Sequence, residues 1–274
     1  MTLRLLLSSV LFASLTACQL SRETPEVEAV YPSADVLPEN LLRMYVQFSK
    51  PMKTVGNLER IKLIDEEGNE LKYVFFNNVY ELWNHEQTRL TLLLDPARVK
   101  SGLLVNETFG RAIKPGKKYK LVIDGLEAVN HKKMQVPFEK WIWIETADLL
   151  KPDIKRWKLV KPKANTRESF AIHFPQMLDL NSLQQRLAIT DSESKPVQGT
   201  IVIEKQETEW RFQPEKPWRH GSYILHVNTR LEDPSGNNVN GLFDHKIGAL
   251  SIKKEGEIVR TLFNIKNNER IIPR

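Results

Sequence analysis

The sequence predicts an all-β chain built as two tandem β-sandwiches. Apolar residues recur at every second position in several short stretches, turn residues separate those stretches, and the whole pattern occurs twice in the same order. The chain has 274 residues, 41% hydrophobic and 27% charged, a composition that describes a globular chain rather than a disordered one. No stretch reads as an amphipathic helix of useful length; those from Leu58 and from Leu183 read as short helical turns.

Taken in order, residues 20–26 are polar, contain Pro25 and suit a short tether. Leu42 to Met52 then alternates, with Leu42, Met44, Val46 and Phe48 on one face; its counterpart is Phe170 to Met177, with Phe170, Ile172 and Phe174 on one face. Ile61 to Glu70 and Leu187 to Ser194 each run from a strand into a polar turn. Arg89 to Pro96 answers Glu209 to Pro214, Gly116 to Ile123 answers Gly221 to Val227, and Leu126 to Asn130 answers Leu231 to Asn237. Tyr119 and Tyr223 each open a strand shortly after a glycine. That placement resembles the tyrosine corner of immunoglobulin-like sandwiches, whose hydroxyl bonds back to main chain. Ser251 to Ile265 alternates again and reads as the last strand of the second sandwich. Pro152 interrupts pairing in Lys151–Asp153, which places the boundary near Ala147 to Asp153. A unit of this size exceeds a solenoid repeat. The expected organisation is a signal at 1–17, a tether at 18–26, sandwiches at 27–147 and 155–266, a linker at 148–154 and a tail at 267–274.

Two motifs resemble a known family. Phe48-Ser49-Lys50-Pro51-Met52 and the ending from Tyr223 through Leu231-Glu232-Asp233-Pro234-Ser235-Gly236-Asn237 are similar to the signature and closing turn of bacterial immunoglobulin-like domains of the S-layer-protein type. The resemblance covers most of residues 25–147 and 152–266. Val129-Asn130-His131 departs from the closing turn in the first copy, and Phe174-Pro175-Gln176-Met177 departs from the signature in the second. The resemblance implies two tandem immunoglobulin-like sandwiches serving as spacer, adhesin module or accessory domain of an envelope protein. Its motifs set shape and imply no activity.

The start of the chain has the layout of a secretory signal: Arg4, an apolar run from Leu5 to Ala13, then Leu15-Thr16-Ala17-Cys18. The run is too short to span a membrane. Leu15 to Cys18 resembles the lipobox of bacterial lipoproteins, which implies acylation of Cys18 and a membrane partner reached through the lipid. Several acyl chains, at about 0.8 kcal/mol per buried CH₂, make such attachment permanent. Gln19, rather than Asp, implies sorting to the outer membrane by the enterobacterial rule. Cys18 is the single cysteine, so an intramolecular disulfide and cysteine-based catalysis are excluded. The net charge of +6 favours anionic neighbours; at this location they are lipid or polysaccharide, not nucleic acid.

Candidate sites are few. His85-Glu86-Gln87-Thr88-Arg89 lacks the second histidine of a zinc-protease helix and reads as a polar turn. The histidines at 85, 131, 173, 220, 226 and 245 show no ligand spacing. Asp233 to Asn237 has oxygen ligands for calcium but too few carboxylates, and its composition builds a β-turn. No nucleophile elbow, phosphate loop or dinucleotide fingerprint is present. No metal and no cofactor is expected. Lys151, Lys155, Arg156, Lys158, Lys161, Lys163 and Arg167 read as a solvated connector and first strand. Trp141 and Trp143 share one side of a strand and are expected in a core or between the sandwiches; Trp210 and Trp218 are expected in the second core. The first copy carries an insert, Ala97 to Lys114, that the second lacks. Its Leu103, Leu104, Val105 and Phe109 form the candidate interaction loop, with packing against the neighbouring sandwich as the favoured alternative. The function expected is a non-catalytic structural, adhesive or ligand-binding module meeting another envelope protein or polysaccharide. The rival is an enzyme or enzyme accessory acting on envelope polysaccharide, which requires a carboxylate-lined cleft near Trp141 and Trp143 or near the insert.

Overall fold

Alternation of buried and solvated residues builds most of the main strands. The computed structural model describes residues 24–77, 80–244 and 256–266. Cys18, Gln19, the apolar run before them, His245 and the tail at 267–274 lie outside the described residues. The first half contains β1 (Val27–Tyr31), β2 (Val36–Pro38), β3 (Arg43–Phe48), β4 (Ile61–Ile64), β5 (Leu82–Trp83), β6 (Arg89–Leu93), β7 (Lys118–Ile123) and β8 (Phe138–Glu145). They form sheets of order β1-β3-β6-β5 and β2-β8-β7-β4, antiparallel except for β2 against β8. The second half contains β9 (Lys158–Val160), β10 (Phe170–His173), β11 (Leu187–Asp191), β12 (Gly199–Glu204), β13 (Glu209–Pro214), β14 (Gly221–Asn228) and β15 (Ile258–Ile265). Their orders, β9-β10-β13-β12 and β11-β14-β15, repeat the first half strand for strand without an equivalent of β2. Four strands facing three is the immunoglobulin-like arrangement; the chain is all-β and immunoglobulin-like in both halves.

The sheets close over separate cores. Met44, Val46, Phe48, Leu90, Leu92, Leu121 and Ile142 fill the first, and Phe170, Ile172, Trp210, Phe212, Trp218, Leu225 and Phe263 the second. Each large apolar side chain buried this way contributes about 1.5–3 kcal/mol. Phe263 and Ile265 point inward from β15, whereas Leu262 faces solvent. The tyrosine corners form as expected. The Tyr119 hydroxyl accepts from the Lys114 N–H at 3.2 Å, and the Tyr223 hydroxyl accepts from the Arg219 N–H at 3.1 Å. The turn at Leu58–Arg60 is a short 3-10 helix, and that around Leu183 is α3 (Leu180–Gln185), capped by Asp179. The insert at 97–114, expected as a loop, carries α1 (Pro96–Val99), which begins one residue before it, and α2 (Leu104–Phe109).

The halves meet along a buried seam that is mostly polar. Asn40, Asp233, Ser235 and Asn237 are at most 1% exposed. The Leu42 N–H donates to the Pro234 carbonyl at 2.9 Å, and the Ser235 hydroxyl to Asn40 Oδ1 at 3.1 Å. Asn40 also brackets the connector, donating to the Asp148 carbonyl and accepting from its N–H. The Tyr45 hydroxyl donates to Asp179 Oδ2 at 2.7 Å, Arg43 pairs with Glu232, and Glu207 accepts from both the N–H and the hydroxyl of Ser33. Met177 and Phe243 of the second half pack against the first core. Buried polar groups are costly unless bonded, so each of these contacts specifies the partner surface.

Gly236 is the tightest point of the seam. Its φ is +79°, and an added Cβ would sit 2.6 Å from Leu42 Cδ2. Gly236→Ala is expected to destabilise the chain by about 1–3 kcal/mol through combined backbone strain and overpacking. Gly116 also has positive φ (+75°), but an added Cβ there meets nothing within 4 Å; Gly116→Ala is expected to cost about 1 kcal/mol or less. Urea unfolding of both variants measures the difference, and equal losses would contradict the close approach.

Candidate functional site

The outer face of β8 is the most unusual surface of the first half. Alternation sends Ile142 and Ile144 into the core and leaves Trp141 and Trp143 outside, 41% and 47% exposed. This corrects the expectation that they pack in a core or between sandwiches: among the described residues no second layer covers this sheet face at these positions. β7 supplies their company, with Lys118 opposite Trp143 and Lys120 opposite Trp141. Lys118 Nζ lies 4.6 Å from the Trp141 ring centre and 5.7 Å from that of Trp143. Lys120 lies 5.8 Å from the Trp141 ring and pairs with Glu139 at 3.0 Å. Val36, in parallel register with Trp143, extends the apolar strip and is 42% exposed. Cation–π attraction of about 0.5–1 kcal/mol per contact holds the lysines over the rings. Trp210 and Trp218 are buried in the second core, as their positions predict.

The insert presents a second apolar surface. Asp95 caps α1 by accepting from the Ala97 N–H, and Pro96 opens it. Val99 and Ile113 root the insert in the first core. Asn106 donates to the Arg98 carbonyl, and Arg98 Nε donates to the Gly110 carbonyl at 3.0 Å. Toward the second half, Asp244 accepts from the Ser101 N–H at 2.8 Å and pairs with Arg111, which also pairs with Glu39. The insert's base therefore packs as expected, but its apolar tip does not: Leu104 and Phe109 are 77% and 68% exposed, and Leu103 and Val105 are half-buried. The six-residue α2 has no fully buried residue, and anchoring falls to residues outside it.

The remaining candidates are structural. Asp233 is fully buried, and its Oδ1 accepts from the N–H groups of Ser235 and Asn237. The closing segment is a turn whose side chains bond to their own backbone and to the first half. Asn84 holds the His85–Thr88 turn by accepting from the Thr88 and Arg89 N–H groups. His173 pairs with buried Glu209 at 2.9 Å and His226 meets Thr190 at 2.9 Å, both on outward strand positions. No grouping of three possible metal ligands occurs among the described residues. All seven residues of the basic run from Lys151 to Arg167 are exposed, along the connector and β9. Cavities of about 480 Å³, beside Leu58 and Leu71, and about 710 Å³, beside Trp157 and Val259, include neither Trp141, Trp143 nor the insert tip. Sequence reasoning missed Tyr45, Asp179 and Glu207, whose partners lie in the other half.

No protein-family model matches the chain, and no curated protein matches its sequence. Among solved structures, it is similar to the N-terminal part of the bacterial S-layer protein SbsC, with 11% identity and a TM-score of 0.31 over 78% of this chain. It is also similar to a fragment of Escherichia coli alpha-2-macroglobulin spanning domains MG0-NIE-MG1, with 12% identity and a TM-score of 0.28 over 88% of this chain. A third is the BSP domain of a biofilm associated protein, with 11% identity and a TM-score of 0.24 over 89% of this chain. The chain spans 43% of the SbsC fragment, 71% of the macroglobulin fragment and 29% of the BSP domain chain. Similarity at this level carries no functional inference.

Burial of the seam makes the halves' contact pH-dependent. Burial, reinforced by the Asp148 carboxylate, pushes Asp233 up to about 8 against the pull of Asn237 and Ser235. Burial also raises Asp148, Glu207 and Glu232. A carboxyl whose folded pKa exceeds its unfolded value binds more protons folded than unfolded, so stability falls as pH rises between the two. For Asp233 that window runs from 3.8 to about 8. The urea midpoint is expected to drop between pH 5 and pH 8, and Asp233→Asn to flatten the dependence. A wild-type midpoint constant over that range would refute this.

Proposed function

We propose that the chain is a lipid-anchored, non-catalytic module of the bacterial cell envelope, acylated at Cys18 and sorted to the outer membrane. Its two domains, residues 27–147 and 155–266, act as a joined support that presents contact surfaces to another envelope component. The lipobox-like Leu15-Thr16-Ala17-Cys18 and Gln19 support the anchor and its destination. The observation that carries the presenting role is α2: Leu104 and Phe109 face solvent from a helix whose base is bonded to both halves. Apolar groups held out on a rigid base mark contact sites. Photo-crosslinkers at positions 104 and 109, with Val202 as an exposed control, test it in intact cells. Adducts to one discrete envelope partner from 104 and 109 and none from 202 are expected. Leu104→Asp with Phe109→Asp is expected to remove that partner at unchanged stability, since neither side chain is buried; indistinguishable adduct patterns at the three positions would sink the reading.

A second reading, binding of an envelope polysaccharide, is favoured by Trp141 and Trp143 flanking Lys118. Exposed indoles stack on the apolar faces of sugar rings, and an ammonium between them suits acidic sugars. Trp141→Ala is expected to weaken binding of an acidic glycan by about tenfold, equivalent to about 1.4 kcal/mol, in affinity electrophoresis. Mobility unaffected by the glycan in the wild type removes this reading.

A further inference from the structure

We infer that the end of the first sandwich formed by residues 49–56, 84–87 and 127–136 rests on an anionic lipid surface; this builds on acylation of Cys18. The first argument is reach. Glu26 is fixed to this end, since its carbonyl accepts from the Ser49 N–H at 2.9 Å and its N–H donates to the Ser49 hydroxyl at 3.0 Å. Cys18 precedes Thr24, where the described chain begins, by six residues, and six residues span at most about 20 Å. The three segments form one surface: Met52 N–H donates to the Gln87 carbonyl, Lys53 N–H to that of Glu127 and Val129 N–H to that of Pro51. An acylated Cys18 therefore holds this end within about 20 Å of the bilayer.

The second argument comes from the internal repeat. The same bonds recur in the second half, where Leu178 N–H donates to the Glu207 carbonyl and Asp179 N–H to that of Glu232. Asp233 N–H donates to the Asn237 carbonyl as Ala128 N–H donates to that of Lys132. This matches Gln87 with Glu207, Lys53 with Asp179, Ala128 with Asp233 and Lys132 with Asn237. Gln87 and Glu207 even share a left-handed φ, 58° and 57°. In the second half this end is the seam: its acidic side chains dock onto the first half. In the first half the equivalent end has no sandwich before it among the described residues; there Lys53 stands in place of Asp179, Gln87 of Glu207, Ala128 of Asp233 and Lys132 of Asn237, while Glu127 keeps the acid of Glu232.

Its chemistry suits headgroups. Lys50, Lys132 and Lys133 join no ion pair among the described residues, whereas Lys53 and His131 engage Glu127. Glu26 and Glu86 are the other carboxylates at this end. Val55 and Val136, on the same segments as Lys53 and Lys133, are 85% and 75% exposed. Shallow apolar tips with neighbouring cations are the pattern of an interfacial contact. Because the acyl chains already supply attachment, this end sets orientation rather than affinity.

The test uses the full acylated chain in phosphatidylcholine vesicles with and without phosphatidylglycerol. Cys18 is the sole native cysteine, and its thioether leaves Val55→Cys, Val136→Cys or Val202→Cys as the single labelling site. Nitroxide-bearing lipids are expected to quench most fluorescence from probes at 55 and 136 and little at 202. Lys132→Glu with Lys133→Glu is expected to relieve the quenching in anionic vesicles at an unchanged thermal melt. Vesicle-bound protein with equal quenching at all three positions overturns the orientation, and equal quenching with and without phosphatidylglycerol overturns the charge match. Protein that neither floats with vesicles nor carries acyl mass overturns the anchor, and the inference falls with it.

Discussion

The structure depends on the burial of one short turn. Asp233 to Asn237 spends its side chains on its own backbone and on the connector, and Gly236 lets Leu42 approach to contact. A larger residue there would part the halves, and an unbonded polar group would make their contact unfavourable. Asn40 then fixes the connector through Asp148. The relation of the halves is thus set by hydrogen-bond geometry more than by apolar area. Apolar contact, supplied by Met177 and Phe243, tolerates sliding; an oriented donor–acceptor set does not.

The repeat shows how one fold serves two surroundings. Both halves share sheet order, tyrosine corners and the bonds that close one end. What differs is the charge of that end. Asp179, Glu207 and Glu232 meet Arg43, Ser33 and Tyr45 across the seam, whereas Lys53, Lys132 and Lys133 hold the corresponding end of the first half. Backbone bonding is retained while side chains are exchanged: Asp179 and Glu207 meet a protein neighbour in one copy, and Lys53 and Gln87 stand at the same places in the other. The Tyr45 hydroxyl illustrates the first choice: burial and the Asp179 carboxylate both hold it protonated against the pull of Arg43, and it donates to Asp179.

Much of this was legible in the sequence because a period of two maps directly onto in and out. Met44, Val46 and Phe48 are buried as their alternation demands, as are Phe170 and Ile172. Periodicity could not assign what lies beyond the outer face. Tyr45 shares its strand's polar side and is buried by the other half, and Trp141 looks like a core residue and is exposed. Both outcomes depend on chain remote in sequence. The insert was misread for another reason: helices of four and six residues are too short to display a period of 3.6. The local signal was present all the same, as Asp95 followed by Pro96 is a helix start. The closing motif was legible as a turn and illegible as a seam, since its composition states only the backbone it adopts.

An immunoglobulin-like sandwich commonly pins its sheets with a disulfide; a chain whose single cysteine precedes the fold must do so otherwise. The second half uses rings. Trp210 stacks on Phe212, which meets Trp218 at 6.0 Å; Trp218 meets Tyr223 edge-on at 5.2 Å, Tyr223 meets Phe263 and Phe263 meets Phe170 at 4.4 Å. The series begins on β13, passes through β14 and β15 and returns to β10, so it links both sheets. Each such pair adds about 0.5–1.5 kcal/mol beyond area burial, and Trp210 and Trp218 also donate to the carbonyls of Leu183 and Glu168. A disulfide acts at one point, chiefly on the unfolded chain; this series acts across the folded core.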